Sequence, residues 1–237
     1  MRFYRGIAVP ENEVDERIAS IRLEGLKDTS GKSGVPDLKA YSRDGKKWNR
    51  LLHSTKLGID LTRKKGAEVV YACGDRKSAL YYACVHNVTE VNNHPILIQF
   101  DAPQRDVWVD GRDLLYNVLQ LWDQHQAGID RNRKKEVVQR TLLMLYGEAI
   151  FPYLQPIFTS EKDDRRLALT DLAVNDAKVV TPHYRNKKWI CGRHRTVFRN
   201  AFCVRSPISG SRIAATTSIK QPFAPPQCDV KISDLLA

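Results

Sequence analysis

The spacing of apolar and polar positions changes along the chain, and each change marks an element. Phe3-Tyr4-Arg5-Gly6-Ile7-Ala8-Val9 reads with Arg2 as a strand over residues 2 to 9, ended by Pro10, which has no N–H to give to a ladder. Val14, Ile18, Ile21 and Leu26 then recur near helical spacing, with Glu11 and Glu13 in the first turn and Gly25 near the stop, predicting a helix over 11 to 26. Periodicity disappears from Lys27 to Lys47, where Gly, Ser, Asp and Lys dominate; this stretch is expected to be a mobile loop, a candidate lid. Val69 to Cys73 is a short buried strand, Gly74-Asp75 turns the chain, and Arg76 to Cys84 is helical.

Ile96 to Phe100 and Val107 to Val109 read as two strands of a hairpin across Ala102-Pro103. Two helices are expected next. One runs from about Asp113 to His125 with Leu114, Leu115, Val118 and Leu121 inward, and the other from about Arg133 to Tyr146 with Val137, Val138, Leu142 and Leu145 inward. Beyond Asp164, the short apolar runs at 178–180, 188–191, 197–205 and 212–215 suggest further strands, and Pro222 to Pro226 a rigid surface strap. This mixed order, without regular strand-helix alternation, points to an α+β fold in one domain covering 1–237.

Charge sharpens the picture. The chain carries 38 Lys and Arg against 27 Asp and Glu. Ten of those cations lie within residues 177–228, which contain no acid, so the rest of the chain is nearly neutral at 28 against 27. A basic tract of this kind concentrates phosphate-bearing partners, a polynucleotide or the diphosphate of a dinucleotide. The competing reading pairs these arginines with acids elsewhere, such as Glu161, Asp163 and Asp164. Arg193, His194, Arg195 and Arg199 are the candidate nucleic-acid contacts; the bland alternative is a solvated strand edge protected by cations. The five cysteines form no C-x-x-C pair and are expected to be reduced thiols, mostly in the core. No apolar run is long enough to cross a bilayer, and the first residues lack an apolar signal region, so a cytoplasmic protein is expected.

Several chemistries leave no signature. Gly31-Lys32-Ser33 is no Walker loop, because Leu26 stands where its first glycine is required. There is no Gly-x-Ser-x-Gly, no His-Glu-x-x-His and no Gly-x-Gly-x-x-Gly, and the six histidines are dispersed, so no metal is expected.

What remains is Phe3-Tyr4-Arg5-Gly6 on the opening strand, a helix ending at Gly25-Leu26, and Tyr71-Ala72-Cys73-Gly74-Asp75-Arg76-Lys77-Ser78-Ala79-Leu80-Tyr81-Tyr82-Ala83. This arrangement resembles the mono-ADP-ribosyltransferase superfamily, over about the first 85 residues. The resemblance implies a split mixed or antiparallel sheet with flanking helices, and NAD as co-substrate. It gives Arg5 and Gly6 the task of holding NAD, the backbone beside Arg5 meeting the nicotinamide amide, while Ser78, Tyr81 and Tyr82 flank the nicotinamide. From the residues themselves, Arg5 suits a charge-assisted fork to phosphate and a tyrosine suits stacking on a flat ring. Alternatively, Arg5 closes an ion pair with Asp75 or Asp110, and the tyrosines are helix core and rim.

The resemblance also implies a late glutamate that stabilises an oxocarbenium-like transition state. No glutamate follows Glu161. Three explanations stay open: the acid comes from elsewhere, it has been replaced, with Ala214 and Ala215 the suspected positions, or the chain is not a transferase. Among acids from elsewhere, Asp113 in Val109-Asp110-Gly111-Arg112-Asp113 is the candidate, against its simpler role as a helix N-cap before Leu114. The expected function is NAD-dependent transfer of ADP-ribose to RNA or DNA rather than protein, in a toxin or phage-defence setting, with a neutralising antitoxin as a possible partner. The alternatives are a non-catalytic nucleic-acid-binding module and an NAD-hydrolysing toxin.

Overall fold

The computed structural model describes residues 1–27, 61–63, 69–88, 92–110, 135–136, 139–140, 142–143, 146–150, 172–191, 197–198, 200–220, 223–224 and 227–231. The chain divides into two compact units, one of 1–31, 67–107 and 199–227, the other of 32–66, 108–198 and 228–237. The fold is mixed α/β with antiparallel sheet and few helices among the described residues.

The first unit is built on β1 (Arg2–Pro10), β3 (Val69–Cys73), β4 (Asn93–Asp101), β9 (Ala201–Arg205) and β10 (Ile213–Ser218), in the order β10-β4-β1-β3-β9. Every one of these pairings is antiparallel. β1 is paired with β4 along its whole length, from Arg2 opposite Asp101 to Pro10 opposite Asn93. Alternation along β1 gives the sheet two different faces. Phe3 meets Phe100 at 6.0 Å between ring centroids and Phe202 edge-on at 5.2 Å, and all three rings are fully buried. Each such burial contributes about 1.5 to 3 kcal/mol, so this triad is a main anchor of the unit. On the opposite face Cys73, Ala79 and Leu97 form a core that Tyr4, Leu80 and Tyr82 join.

One helix covers each face. α1 (Val14–Glu24) follows a 3-10 turn at Glu11–Glu13 and lies on the phenylalanine side: its Arg22 donates from Nε to the Thr216 hydroxyl at 2.7 Å, and Thr216 is in register with Ile98, itself opposite Arg5. α2 (Arg76–Tyr81) covers the Tyr4 side and runs on as a π-helical turn, Tyr82–His86. Asp75 starts α2 as its N-cap, its Oδ1 accepting from the Ser78 N–H at 2.8 Å.

In the second unit β5 (Val107–Asp110) pairs antiparallel with β6 (Leu172–Val174), and β6 with β2 (Leu61–Arg63). α3 (Ala177–Arg185) buries Val179, Val180 and His183. The buried Tyr146 hydroxyl and His183 Nδ1 form a hydrogen bond, with the rings stacked at 5.4 Å. β7 (Ile190–Cys191), β8 (Val197–Phe198) and β11 (Val230–Lys231) form a small separate sheet.

Three expectations need correction. Lys178 to Val180 is helix, not strand: the two valines favour a strand locally, but the Asp176 side chain caps Lys178 N–H at 2.8 Å, and burial rewards the helical stripe of Val179, Val180 and His183. The hairpin of Ile96–Phe100 with Val107–Val109 does not form, because both edges of β4 are occupied by β1 and β10. The cysteines are not all reduced. Cys73, Cys84 and Cys203 are free but Cys228 is disulfide-bonded; parallel pairing of β11 with β7 brings its segment alongside residues 190 and 191, a juxtaposition sequence spacing does not reveal. No described helix is long and apolar enough to cross a membrane. The expected 27–47 loop lies outside the described residues beyond Lys27, as does the expected helix over 113 to 125.

At the end of β4, Arg2 grips Asp101 with two hydrogen bonds of 3.1 Å, and that guanidinium holds the Asp101 carboxyl below the ordinary aspartate range. A depressed folded-state value means the pair stabilises above the ordinary aspartate range and is lost as pH falls through the lowered one. Both side chains are half-exposed, which limits the effect to about 0.2 to 1 kcal/mol. Asp101→Asn should therefore lower the urea midpoint slightly at neutral pH, with the gap to the parent closing as pH falls below the ordinary aspartate range; an identical gap at neutral and at acid pH contradicts the assignment.

A split between two strands as the candidate site

β1 and β3 part company after one pair. Their register is the single partnership of Tyr4 with Cys73, while β3 continues beside β9 for five residues, from Cys73–Ala201 back to Val69–Arg205. Gly74 N–H donates to Asn200 O at 2.9 Å, so the polar groups of Cys73, one residue earlier, face β1. By the same alternation those of Tyr71 on β3 and Gly6 on β1 face the opening between the strands. Side chains replace the missing ladder there. Arg5 Nη1 donates to the Tyr71 carbonyl at 3.2 Å, and Asn87 Nδ2 donates to the Gly6 carbonyl at 2.9 Å. Buried or half-buried carbonyls need such partners, since leaving one unmet costs on the order of 1 to 3 kcal/mol.

Glycine at position 6 is dictated by packing. A Cβ there would stand 2.0 Å from Ala79 O and 2.5 Å from Ala83 N, both backbone atoms of the helical segment above it. Only a residue without a side chain lets β1 and this helix come so close. At Gly74 a would-be Cβ meets the Asn200 Oδ1 at 1.9 Å, a side-chain end rather than backbone, so a substitution there must displace the Asn200 side chain; Asn200 itself sits at φ 55°, a left-handed conformation asparagine tolerates.

Of the predicted residues, Arg5 and Gly6 lie at this opening, Arg5 on the sheet face opposite to the one that α2 covers with Ser78, Tyr81 and Tyr82. Arg5 is half-buried on the phenylalanine face and reaches the strand edge through its guanidinium. Ser78 is fully buried in the first turn of α2. Tyr81 and Tyr82 are half-buried, with rings edge to face at 6.1 Å, and Tyr82 also meets the His86 ring at 5.2 Å. Asp110 is buried at the end of β5. Asp113, Arg193, His194, Arg195 and Arg199 lie outside the described residues. Ala214 and Ala215 are exposed on β10, where the ladder to β4 is irregular, with β4 intervening between them and β1. Among the described residues no three of His, Cys, Asp and Glu assemble into a metal-holding group.

Two positions in the basic tract find an acid outside it. Arg205 Nε lies 3.3 Å from Asp106 Oδ1, and Arg212 Nη1 lies 3.8 Å from Oδ2 of the same carboxylate. The pairing alternative is thus right for these two, yet two cations share one acid. Sequence reasoning missed Tyr71 and Asn87. Asn87 carried a signal as the residue closing a helix, where asparagine is common; nothing in the chain marked the Tyr71 carbonyl.

Compared with protein-family models, curated proteins and solved structures, the chain finds no match.

Gly6→Ala should cost about 1 to 3 kcal/mol or more, since the clash is with backbone rather than a flexible side-chain end, and an unchanged denaturation midpoint would refute the packing account. Burial raises the Cys84 thiol above its ordinary value. Iodoacetamide should therefore alkylate Cys84 more slowly than a free cysteine peptide at neutral pH, with the rate still climbing past the ordinary thiol range; a peptide-like rate profile in the folded protein would contradict it.

Proposed function

We propose that this chain is an NAD-dependent mono-ADP-ribosyltransferase with an ADP-ribosyltransferase-like split sheet, acting on a nucleic acid rather than on protein. The observation that carries the reading is the opening between β1 and β3, with the Arg5 guanidinium and the Gly6 backbone on its rim. NAD supplies an ADP-ribosyl group whose glycosidic carbon loses neutral nicotinamide and is taken by a nucleophilic atom of the acceptor, which gives up a proton.

The chain's own residues contribute binding and orientation. Arg5, already at a strand edge, offers a fixed positive charge to a diphosphate. The Gly6 backbone offers peptide polar groups to a carboxamide, and Tyr81 and Tyr82 offer aromatic surface to a flat ring. Ser78, being buried, shapes α2 beneath them. Asp113 stands as the acid in this reading, and a late glutamate replaced at Ala214 or Ala215 is the competing account. Arg193, His194, Arg195 and Arg199 are assigned to the acceptor, whose phosphates the acid-free tract attracts. No metal is needed. A toxin or phage-defence role with a neutralising protein partner fits such an activity.

The site of action is placed in the cytoplasm, where NAD and nucleic acid are abundant. The Cys228 disulfide pulls the other way, because disulfides persist in oxidising compartments. A second reading, a nucleic-acid-binding module without catalysis, is favoured by the acid-free tract and by Arg205 and Arg212 sharing Asp106. The NAD-hydrolysing alternative differs only in using water as acceptor.

Purified protein incubated with labelled NAD, alone or with total RNA, DNA or lysate protein, should release nicotinamide and label the nucleic acid. Release without label points to hydrolysis, and absence of both turnover and NAD binding leaves the binding module. Arg5→Ala should weaken NAD binding by about tenfold, roughly 1.4 kcal/mol, by removing a charge-assisted contact. Unchanged affinity in a folded variant removes Arg5 from the site.

A further inference from the structure

We infer that the outer edge of β10 is a docking edge for an extended acidic segment of a partner protein, which adds to the sheet as one more antiparallel strand. β10 stands at the end of its sheet beside β4, and among the described residues no strand lies beyond it. Ile219 N–H donates to Pro95 O at 3.0 Å, so by alternation the backbone groups of Thr217 and Ala215 also turn towards β4, and those of Thr216 and Ser218 turn outward. The edge thus offers peptide donors and acceptors at every second residue, the pattern an added strand pairs with.

Proteins blunt such edges with lysine, proline or an inward charge inside the strand. Ile213-Ala214-Ala215-Thr216-Thr217-Ser218 has none of these. The irregularity between Ile213 and Ala215 leaves Ala215 to Ser218 in even register with β4. Ala214, Ala215 and Thr217 are exposed and short, so they put little in the way of an incoming backbone. Arg22 of α1 touches this edge, donating from Nη2 to Thr216 O at 3.4 Å, the long limit of a hydrogen bond, while its Nε keeps the Thr216 hydroxyl at 2.7 Å. An incoming N–H can take that carbonyl without breaking the shorter bond.

Charge decides which chain sits there. Arg212 precedes β10, Lys220 lies just after it, and Arg22 flanks its middle. A second copy paired two-fold about Thr216 would set Arg212 of one chain opposite Lys220 of the other at both ends, where like charges oppose pairing. A segment with acids at its two ends meets the same cations favourably. Its residues opposite Thr216 and Ser218 carry their side chains on the α1 face. There the end of α1 packs on the turn Gly210–Arg212 that leads into β10, and its Leu23 is 83% exposed, an apolar anchor for that side of the segment. β4 and β1 separate this edge from the opening beside β3, so a docked segment leaves the candidate site unfilled.

The probe is a short capped peptide of alternating valine and threonine with glutamates at both ends, titrated into the full chain by calorimetry. It should bind, and the same peptide with lysines for the glutamates should bind at least about tenfold more weakly. Methylating its valine nitrogens, which face β10 when the valines lie on the α1 side, should abolish binding, whereas methylating its threonine nitrogens should spare it. Ser218→Pro, which deletes an outward N–H and no donor to β4, should weaken binding by about tenfold, and Lys220→Glu should weaken the acidic peptide alone. No binding of the acidic peptide, equal binding of the lysine peptide, equal binding of the two methylated peptides, or unchanged affinity in folded Ser218→Pro each overturns the docking edge. Where Ser218→Pro does not fold, the methylated pair decides on the parent protein. A concentration-dependent dimer lost in Ser218→Pro assigns the edge to a second copy and overturns the acidic occupant. None of these measurements involves NAD, so they stand or fall apart from the transfer reaction.

Discussion

Two central strands that pair once and then separate must find other partners for the backbone groups they expose, and much of the first unit can be understood from that requirement. After Tyr4–Cys73, β1 keeps its full ladder with β4 while β3 turns its pairing to β9. Side chains bridge the gap. A guanidinium from β1 crosses to Tyr71 O, and an amide from the end of the α2 segment crosses to Gly6 O. Both are longer and more adaptable than a strand neighbour, so the sheet gains an opening whose rim is polar and rearrangeable while the hydrophobic layers on either side stay closed.

Those layers make the opening possible. On one face the Phe3, Phe100 and Phe202 rings tie β1, β4 and β9 together independently of the missing ladder. On the other, α2 presses onto Gly6 closely enough that no side chain fits, and Asp75 fixes where that helix starts. The same helix then widens into a π-helical turn, a form that recurs at functional positions, and delivers Tyr82, His86 and Asn87 to the strand edge. A tightly packed glycine and a loosened helical turn are complementary: one sets the distance between strand and helix, the other sets which side chains arrive there.

Charge adds a second theme. The acid-free tract is real in sequence, but its structural expression is more moderate where it can be followed, since Arg205 and Arg212 are tethered to Asp106 and Lys187 lies over the Tyr184 ring at 3.9 Å. Two guanidinium groups sharing one carboxylate leave a net positive charge that still attracts anions, and a fixed guanidinium loses less freedom on meeting a phosphate than a free one does.

Local pattern determined the elements whose apolar runs end at clear punctuation. The opening strand, the helix after it, the Val69–Cys73 strand and the helix from Arg76 were legible because Pro10, Gly25 and Gly74-Asp75 bound apolar stretches that the fold does bury. Arg5 and Gly6 stood out for the same reason, as a charge and a gap in an otherwise apolar strand. Tertiary structure alone decided the rest. Val179 and Val180 became helical because capping and burial outweigh a β-branched preference, and β4 refused its hairpin because two other strands had taken its edges. It decided too that β1 and β3 separate, and that Asn87, eighty-one residues from Gly6, meets its carbonyl. Hydrogen-bond partners across such distances depend on where strands run out of neighbours, and no stretch of sequence records that by itself.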